Sequence, residues 1–197
     1  MHHALEVSNM AVLISKELGK DEKFCDDIAV AGVLHDIGKL RVNRYVYSDE
    51  SDDTLVVEQM KYVRMHSAYS RDILRDENYP ENIIEAVYHH HENYDGSGYP
   101  DGLKGTDIPE MSRILRTCDV FSALITNRSY RKAFDKKTAM AIMIDEVEDY
   151  DMEVFLAFQR VFHDDKFPEI RNLQDMASEI QMENLKVFEE EALKGNY

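Results

Sequence analysis

Residues Phe24–Lys39 read FCDDIAVAGVLHDIGK. On a helix of 3.6 residues per turn, Phe24, Ile28, Ala31, Gly32 and His35 share one face. Val30, Val33, Leu34 and Ile37 fill the other sides, so the spacing predicts a helix that is apolar all round and central to its domain. Asp36 follows His35 on that helix. A carboxylate in such surroundings requires a cation or a hydrogen-bond network. Ala31 and Gly32 leave room for one beside it.

Working outward, apolar residues recur at three- and four-residue steps along Ala4–Leu18, Leu55–Leu74, Ile83–His91, Met111–Ile125, Thr138–Val147 and Met152–Phe162. Breaks fall at Gly19–Asp21, Gly38–Thr54, Asn78–Pro80, Asp95–Pro109, Asn127–Asp135 and Asp164–Pro168. A last amphipathic stretch runs from Met176 to Leu193, and no run alternates apolar and polar residues as a strand would. The expected fold is all-α: one helical domain over residues 1–163 and a C-terminal helical extension over 164–197, packed on or beside it.

The chain of 197 residues suits a single domain of that kind. Its net charge of −16 argues against a surface that coats DNA or RNA, although a small anionic ligand can still be met by local cations or metal. No apolar run approaches the ~18 residues of a membrane span. The start MHHALEVSNM has neither the basic opening nor the apolar core of a secretory signal. Cys25 and Cys118 lack paired-motif spacing and read as reduced, buried thiols of a cytoplasmic protein.

A second stretch, Tyr88–Pro100, reads YHHHENYDGSGYP. With Val87 as the origin of helical angle, Ile83, Ile84, His90 and His91 fall within about 60° of it, and His89 falls opposite, beside Glu85. His90 and His91 are therefore expected inside and His89 in solvent, where His89→Ala would be nearly silent. His3 shares a face with Val7, Met10 and Ile14, and His66 with Tyr62, Val63, Ser70 and Ile73. Asp119 shares one with Ser112, Leu115, Ser122, Ala123 and Thr126, while Ile114, Phe121, Leu124 and Ile125 supply apolar packing behind it. His163 reads as a surface residue.

Any one of these histidines alone would be read as a hydrogen-bonded core residue. Together His3, His35, Asp36, His66, His90, His91 and Asp119 are too many inward polar groups for that reading. Imidazoles and carboxylates without cysteine suit iron or manganese better than structural zinc. Seven ligands exceed the needs of one ion, and a bridging Asp36 would divide them between two. Two metals about 3.5–4 Å apart activate water and clamp a phosphate for in-line attack.

These residues also resemble a known family. HDIGK at His35–Lys39 resembles the signature of HD-domain metal-dependent phosphohydrolases, and HHE…DGSGYP within His90–Pro100 resembles the hallmark of the HD-GYP subfamily. His3, His66, CDVFSAL and RSYRKA occur in the matching order. The resemblance implies an HD-domain helical bundle and a bacterial cyclic di-GMP phosphodiesterase yielding linear pGpG or GMP. It implies one metal on His3, His35, Asp36 and Asp119, and a second on Asp36, His66, His90 and His91.

Asp36 and Lys39 would carry the catalytic chemistry, with Lys39 also neutralising phosphate. Arg128, Arg131 and Tyr99 would hold the ligand. The Gly-Tyr-Pro loop would border the site and offer a surface to a signalling partner, and the C-terminal helix would make a homodimer contact. The chain departs from the pattern at Ser122, where the family has Asp in DAL, and at Ser129, where it has Pro. The polar segment after Lys39 departs as well. Those departures leave two alternatives: a cyclic-dinucleotide-binding module with little or no turnover, and an HD hydrolase of another nucleotide.

Overall fold

The computed structural model describes residues 2–46, 63–127 and 131–163. Arg128, Ser129, the 164–197 extension and most of the first half of the expected 55–74 helix lie outside the described residues. The described chain runs α1 (His2–Glu17), α2 (Glu22–Leu34), α3 (Lys39–Val46), α4 (His66–Asp76), α5 (Glu81–Tyr88), α6 (Glu110–Ile125), α7 (Lys136–Asp145) and α8 (Met152–His163). Short 3₁₀ turns occupy Gly105–Asp107 and Val147–Asp149, and the described residues contain no strand.

Local chemistry sets many of the boundaries. After α1, Gly19 takes a left-handed φ of +71°, which glycine adopts without a Cβ clash. Asp21 then caps α2 by accepting the Phe24 N–H at 2.8 Å. Asp135 caps α7 in the same way, accepting from the N–H groups of Lys137 and Thr138 at 3.0 Å each. Pro80 and Pro109 precede α5 and α6 in extended conformation, as a residue lacking an N–H at a helix start does.

The core forms around α1 and α6. Val7, Met10, Ala11 and Ile14 of α1 are buried, as are Ile114, Leu115, Cys118 and Phe121 of α6. Burying each of the larger side chains contributes about 1.5–3 kcal/mol. Helix α1 packs on α2, α6 and α8, and α5 bridges α2, α4 and α6. Phe121 meets Phe158 of α8 edge-on at 5.0 Å. Between α1 and α2 a Cβ on Gly32 would come within 2.6 Å of Ser8 Cα, so the missing side chain lets the two helices touch. Ser8 seals the contact by donating its hydroxyl to Ala29 O at 2.8 Å. This close approach brings the start of α1, with His3, to the end of α2, with His35.

The expectation of a central helix over Phe24–Ile37 followed by a break is corrected in two ways. Val30 and Val33 are 37% and 43% exposed, so α2 lies on the bundle surface with one face inward, and α1 takes the central position instead. Helix α3 occupies part of the stretch expected as a break after Gly38. Cys25 and Cys118 are free, buried thiols, and His163 is exposed, as read from the sequence. No helix of the described residues is long and apolar enough to cross a membrane.

Candidate metal centre

Asp36, His66, His90 and His91 each place a donor atom within 4.8 Å of the others, and His3, His35 and Asp119 form a second such set. The seven come from α1, the turn after α2, the first residue of α4, the turn after α5 and the middle of α6. Asp36 stands between the sets. Its Oδ1 lies 3.2 Å from His66 Nε2, and its Oδ2 lies 3.3 Å from His35 Nε2 and 4.0 Å from His3 Nε2. Asp119 Oδ1 is 3.0 Å from His3 Nε2, and its Oδ2 is 3.9 Å from His91 Nδ1.

Hydrogen bonds fix which nitrogen of each ring is free. His35 Nδ1 lies 2.7 Å from Gly32 O, His66 Nδ1 2.5 Å from Val63 O, and His90 Nδ1 2.6 Å from Val87 O. A carbonyl oxygen only accepts, so each Nδ1 carries the proton and donates it. On His66 and His90 the neutral ring then aims its Nε2 lone pair at the centre, while His35 turns its Nε2 to Asp36. His66 Nε2 faces His90 Nε2 at 3.4 Å and His91 Nε2 at 3.0 Å. Lone pairs so close repel unless a cation or proton lies among them. His35 Nε2 and Asp36 Oδ1 are buried without a hydrogen-bond partner. Orphaned acceptors converging on one place, each ring oriented through its other nitrogen, are what a metal donor set requires. The residues present fit metal ions.

The same bonds explain where α2 and α5 end. In a continuing helix, Gly32 O and Val87 O would accept from the backbone N–H four residues on. The His35 and His90 side chains take those carbonyls instead. The backbone tightens to three-residue turns, with Ile37 N–H on Leu34 O at 3.0 Å and Glu92 N–H on His89 O at 3.0 Å.

The electrostatics favour cation binding. Burial, with the charges of His35 and His66, pushes His90 down to about 3, and burial likewise lowers His91 and His66. Burial works to raise Asp36 and Asp119. His35 beside Asp36 and His3 beside Asp119 outweigh it and hold both carboxyls far below the usual carboxylate range. At neutral pH these three imidazoles are thus neutral and the carboxylates ionised, whereas His35, against the lowering effect of its burial, is raised by Asp36.

Lys39 opens α3 with its Nζ 2.5 Å from Asp36 Oδ2 and its side chain half exposed. Tyr99 stacks on His91, ring centres 4.7 Å apart, and the Arg64 guanidinium lies 5.2 Å over the tyrosine ring. Burial pushes the Tyr99 hydroxyl well above the usual phenol range, so it stays a hydrogen-bond donor. Gly98 has no room for a side chain: a Cβ would sit 2.5 Å from His91 O and 2.6 Å from Glu92 Cα. The loop thereby folds directly onto the backbone of the histidine run. Arg131 is employed elsewhere. Its guanidinium donates to Ala123 O at 2.8 Å and Leu124 O at 3.1 Å, closing the end of α6, and lies over the Phe134 ring.

His89 is a correction. It is 5% exposed, not in solvent, because α5 stops at Tyr88 and the helical phase stops with it. Its Nε2 lies 3.2 Å from Glu85 Oε2 and its Nδ1 3.6 Å from Glu92 Oε1, with Asp101 Oδ2 at 4.0 Å. Glu92, 1% exposed, accepts the N–H groups of Asp101 and Gly102 at 2.8 and 3.1 Å and so ties the loop down. His89→Ala removes the Nε2 contact to Glu85 and leaves a cavity where a buried ring stood, and should cost about 1–3 kcal/mol. Thermal melting should register that loss while metal content holds; an unchanged midpoint would refute the strut.

Three participants were not singled out from sequence. Glu6 follows His3 by one turn and contacts Ser122, and Glu92 anchors the loop. Arg116, one turn before Asp119, has a buried Nε with no hydrogen-bond partner among the described residues, and its nearest acid is Asp149 at 3.9 Å. Its charge is felt at His91 and Tyr99. Helical spacing from His3 and Asp119 was the available signal for Glu6 and Arg116. Glu92 showed only as the last letter of HHE, since it acts through a loop.

An all-helical domain with two histidine–aspartate sets meeting at its core defines the class, a helical protein with a candidate binuclear metal centre. The family model described as HD domain matches residues 1–154, and the chain belongs to that family. It is 32% identical over 162 residues to a 3'3'-cGAMP-specific phosphodiesterase of Vibrio cholerae, covering 82% of this chain and 35% of that protein. It is 34% identical over 139 residues to the cyclic di-GMP phosphodiesterase response regulator RpfG of Xanthomonas campestris, covering 70% of this chain and 36% of that protein. The chain therefore spans about a third of the length of these curated relatives. An HDG"Y"P protein of Bdellovibrio bacteriovorus shares the fold, with a TM-score of 0.65 at 20% identity over 82% of this chain and 52% of that one.

Proposed function

We propose that this domain is a metal-dependent phosphodiesterase that opens a cyclic dinucleotide, cyclic di-GMP or 3'3'-cGAMP, to a linear product. The observation that carries the reading is the position of Asp36, one carboxylate oxygen toward each set of imidazoles. One ion would sit on His3, His35, Asp36 and Asp119, the other on Asp36, His66, His90 and His91. The nitrogen and carboxylate donors, with no thiolate among them, favour iron or manganese. Bound there, the ions would supply Lewis-acid polarisation of the phosphoryl group and water that is nucleophilic at neutral pH.

The chain's own groups would do the rest. Lys39, already against Asp36, swings its exposed ammonium to the phosphate and offsets its charge. Arg116, short of partners, suits a second phosphate oxygen or a guanine edge, and Tyr99 with Arg64 forms a flat wall on which a base can lie. Arg128 stays a candidate for the ligand side, whereas the carbonyls held by Arg131 favour a supporting role for it. In the reaction, water oxygen bonds to phosphorus, the phosphorus–ribose oxygen bond breaks, and the departing oxygen takes up a proton.

Relatives named for cyclic di-GMP and for 3'3'-cGAMP both support the class of substrate, so the test uses both. Protein purified without oxygen is analysed for metal and incubated with each dinucleotide. The expected result is about two ions per chain and a linear product from at least one substrate. Metal-loaded protein that binds a dinucleotide and leaves it intact would reduce the domain to a binding module.

A further inference from the structure

We infer that Glu6 and Ser122 form a relay that sets the tautomer of His3, and through it the affinity of the His3–His35–Asp119 set for its cation. The inference rests on the metal-centre reading above. Ser122 lies on α6 with no exposure to solvent. Its hydroxyl donates to Glu6 Oε2 at 2.6 Å, and its Oγ lies 2.9 Å from His3 Nδ1. A serine hydroxyl has one proton. Because Glu6 takes it, Oγ can only accept from His3, and Nδ1 must carry the ring proton. That commits Nδ1 to the proton and leaves Nε2, which contacts Asp119 Oδ1 at 3.0 Å, as the nitrogen open to a cation.

This arrangement differs from that of its neighbours. His35, His66 and His90 receive the same tautomer from a carbonyl three residues earlier in their own segment. His3 receives it across the packing of two helices, from a serine 119 positions away. The serine at position 122 stands where the family resemblance leads one to expect aspartate. A hydroxyl cannot by itself hold a ring in one tautomer, since it donates as readily as it accepts. Glu6, one turn along α1 from His3, removes that ambiguity by claiming the proton. Glu6 and Ser122 are thus positioning residues for a ring that another residue pair would leave free to flip.

The experiment is a manganese titration of the metal-stripped full chain, followed by calorimetry, on wild type, Ser122→Ala, Glu6→Leu and Glu6→Gln. Wild type is expected to bind at two sites. In Glu6→Leu the serine proton is released and can turn to His3 Nδ1, driving the ring proton onto Nε2. Ser122→Ala and Glu6→Leu should therefore each weaken one site by about 10–100-fold and spare the other, the usual range for losing the partner of a metal-bound histidine. Glu6→Gln keeps an acceptor oxygen and should stay within about tenfold of wild type. It also carries the comparison with Glu6→Leu should Ser122→Ala not fold.

Equal affinities in Glu6→Leu and Glu6→Gln would overturn the relay, as would wild-type binding in Ser122→Ala. Uniform weakening of both sites would overturn it too, because it marks a general disturbance. A wild type that takes up no manganese or iron would instead bring down the metal reading itself, and the inference with it.

Discussion

Asp36→Ala is expected to empty the centre, with metal content falling from about two ions per chain to less than one. Both carboxylate oxygens are in use: Oδ1 faces His66, and Oδ2 faces His35, His3 and Lys39. No neighbouring acid can replace them. Asp119 is on another helix and already lies against His3. Removing the outer partner of a metal ligand costs about 10–100-fold, and a direct ligand shared by two ions costs more, so turnover should fall by over about 100-fold. The fold should survive, because Asp36 lies in a turn after α2 and contributes nothing to the apolar core. Metal analysis, turnover and far-ultraviolet circular dichroism on one preparation decide the matter. Retained metal in a folded Asp36→Ala protein would mean that the two sets work without a shared carboxylate.

Gly38→Ala should damage both fold and site. A Cβ at Gly38 would overlap the carbonyl oxygen of His66 and lie 2.5 Å from Ser70 N and 2.8 Å from Ser70 Oγ. Two of those three atoms are backbone, so no rotamer change relieves the clash. The Gly38 N–H donates to Ser70 Oγ at 2.8 Å, and Ser70 in turn donates to His35 O at 3.0 Å. The glycine of HDIGK is therefore where the turn carrying His35 and Asp36 locks against the helix carrying His66. Forcing a methyl group into such a contact costs about 1–3 kcal/mol and sometimes more. A lowered melting midpoint together with reduced metal content is expected. Gly19→Ala serves as the control, since its Cβ would meet nothing within 4 Å and only the left-handed φ is penalised. Comparable metal loss in the two variants would refute the locking role.

The inward positions of His3, His66 and Asp119 were legible because each lies within a regular helix or at its end. There the phase of the apolar residues states which way a side chain points. His90 and His91 were placed inside by the same rule, although α5 ends before them. Their correct placement came from the turn that follows the helix, and for His89 the rule failed outright. The HDIGK segment carried the opposite lesson. Its apolar residues promised a central helix, but Val30 and Val33 stay partly in water, because apolar composition alone does not say which neighbours a helix acquires.

The helical class, most of the helix spans and the chemistry of the donor set can be read from the order of residues. Those follow from local rules, in which residue spacing sets helical phase and residue type sets ligand hardness. Packing in three dimensions was needed to bury His89, to set Arg131 at the end of α6, and to join Glu6 to His3 through Ser122. These depend on which donor reaches which acceptor first. A carbonyl claimed by a histidine ends a helix, and a serine proton claimed by a glutamate chooses a tautomer. Such competitions are settled only when segments distant in sequence meet.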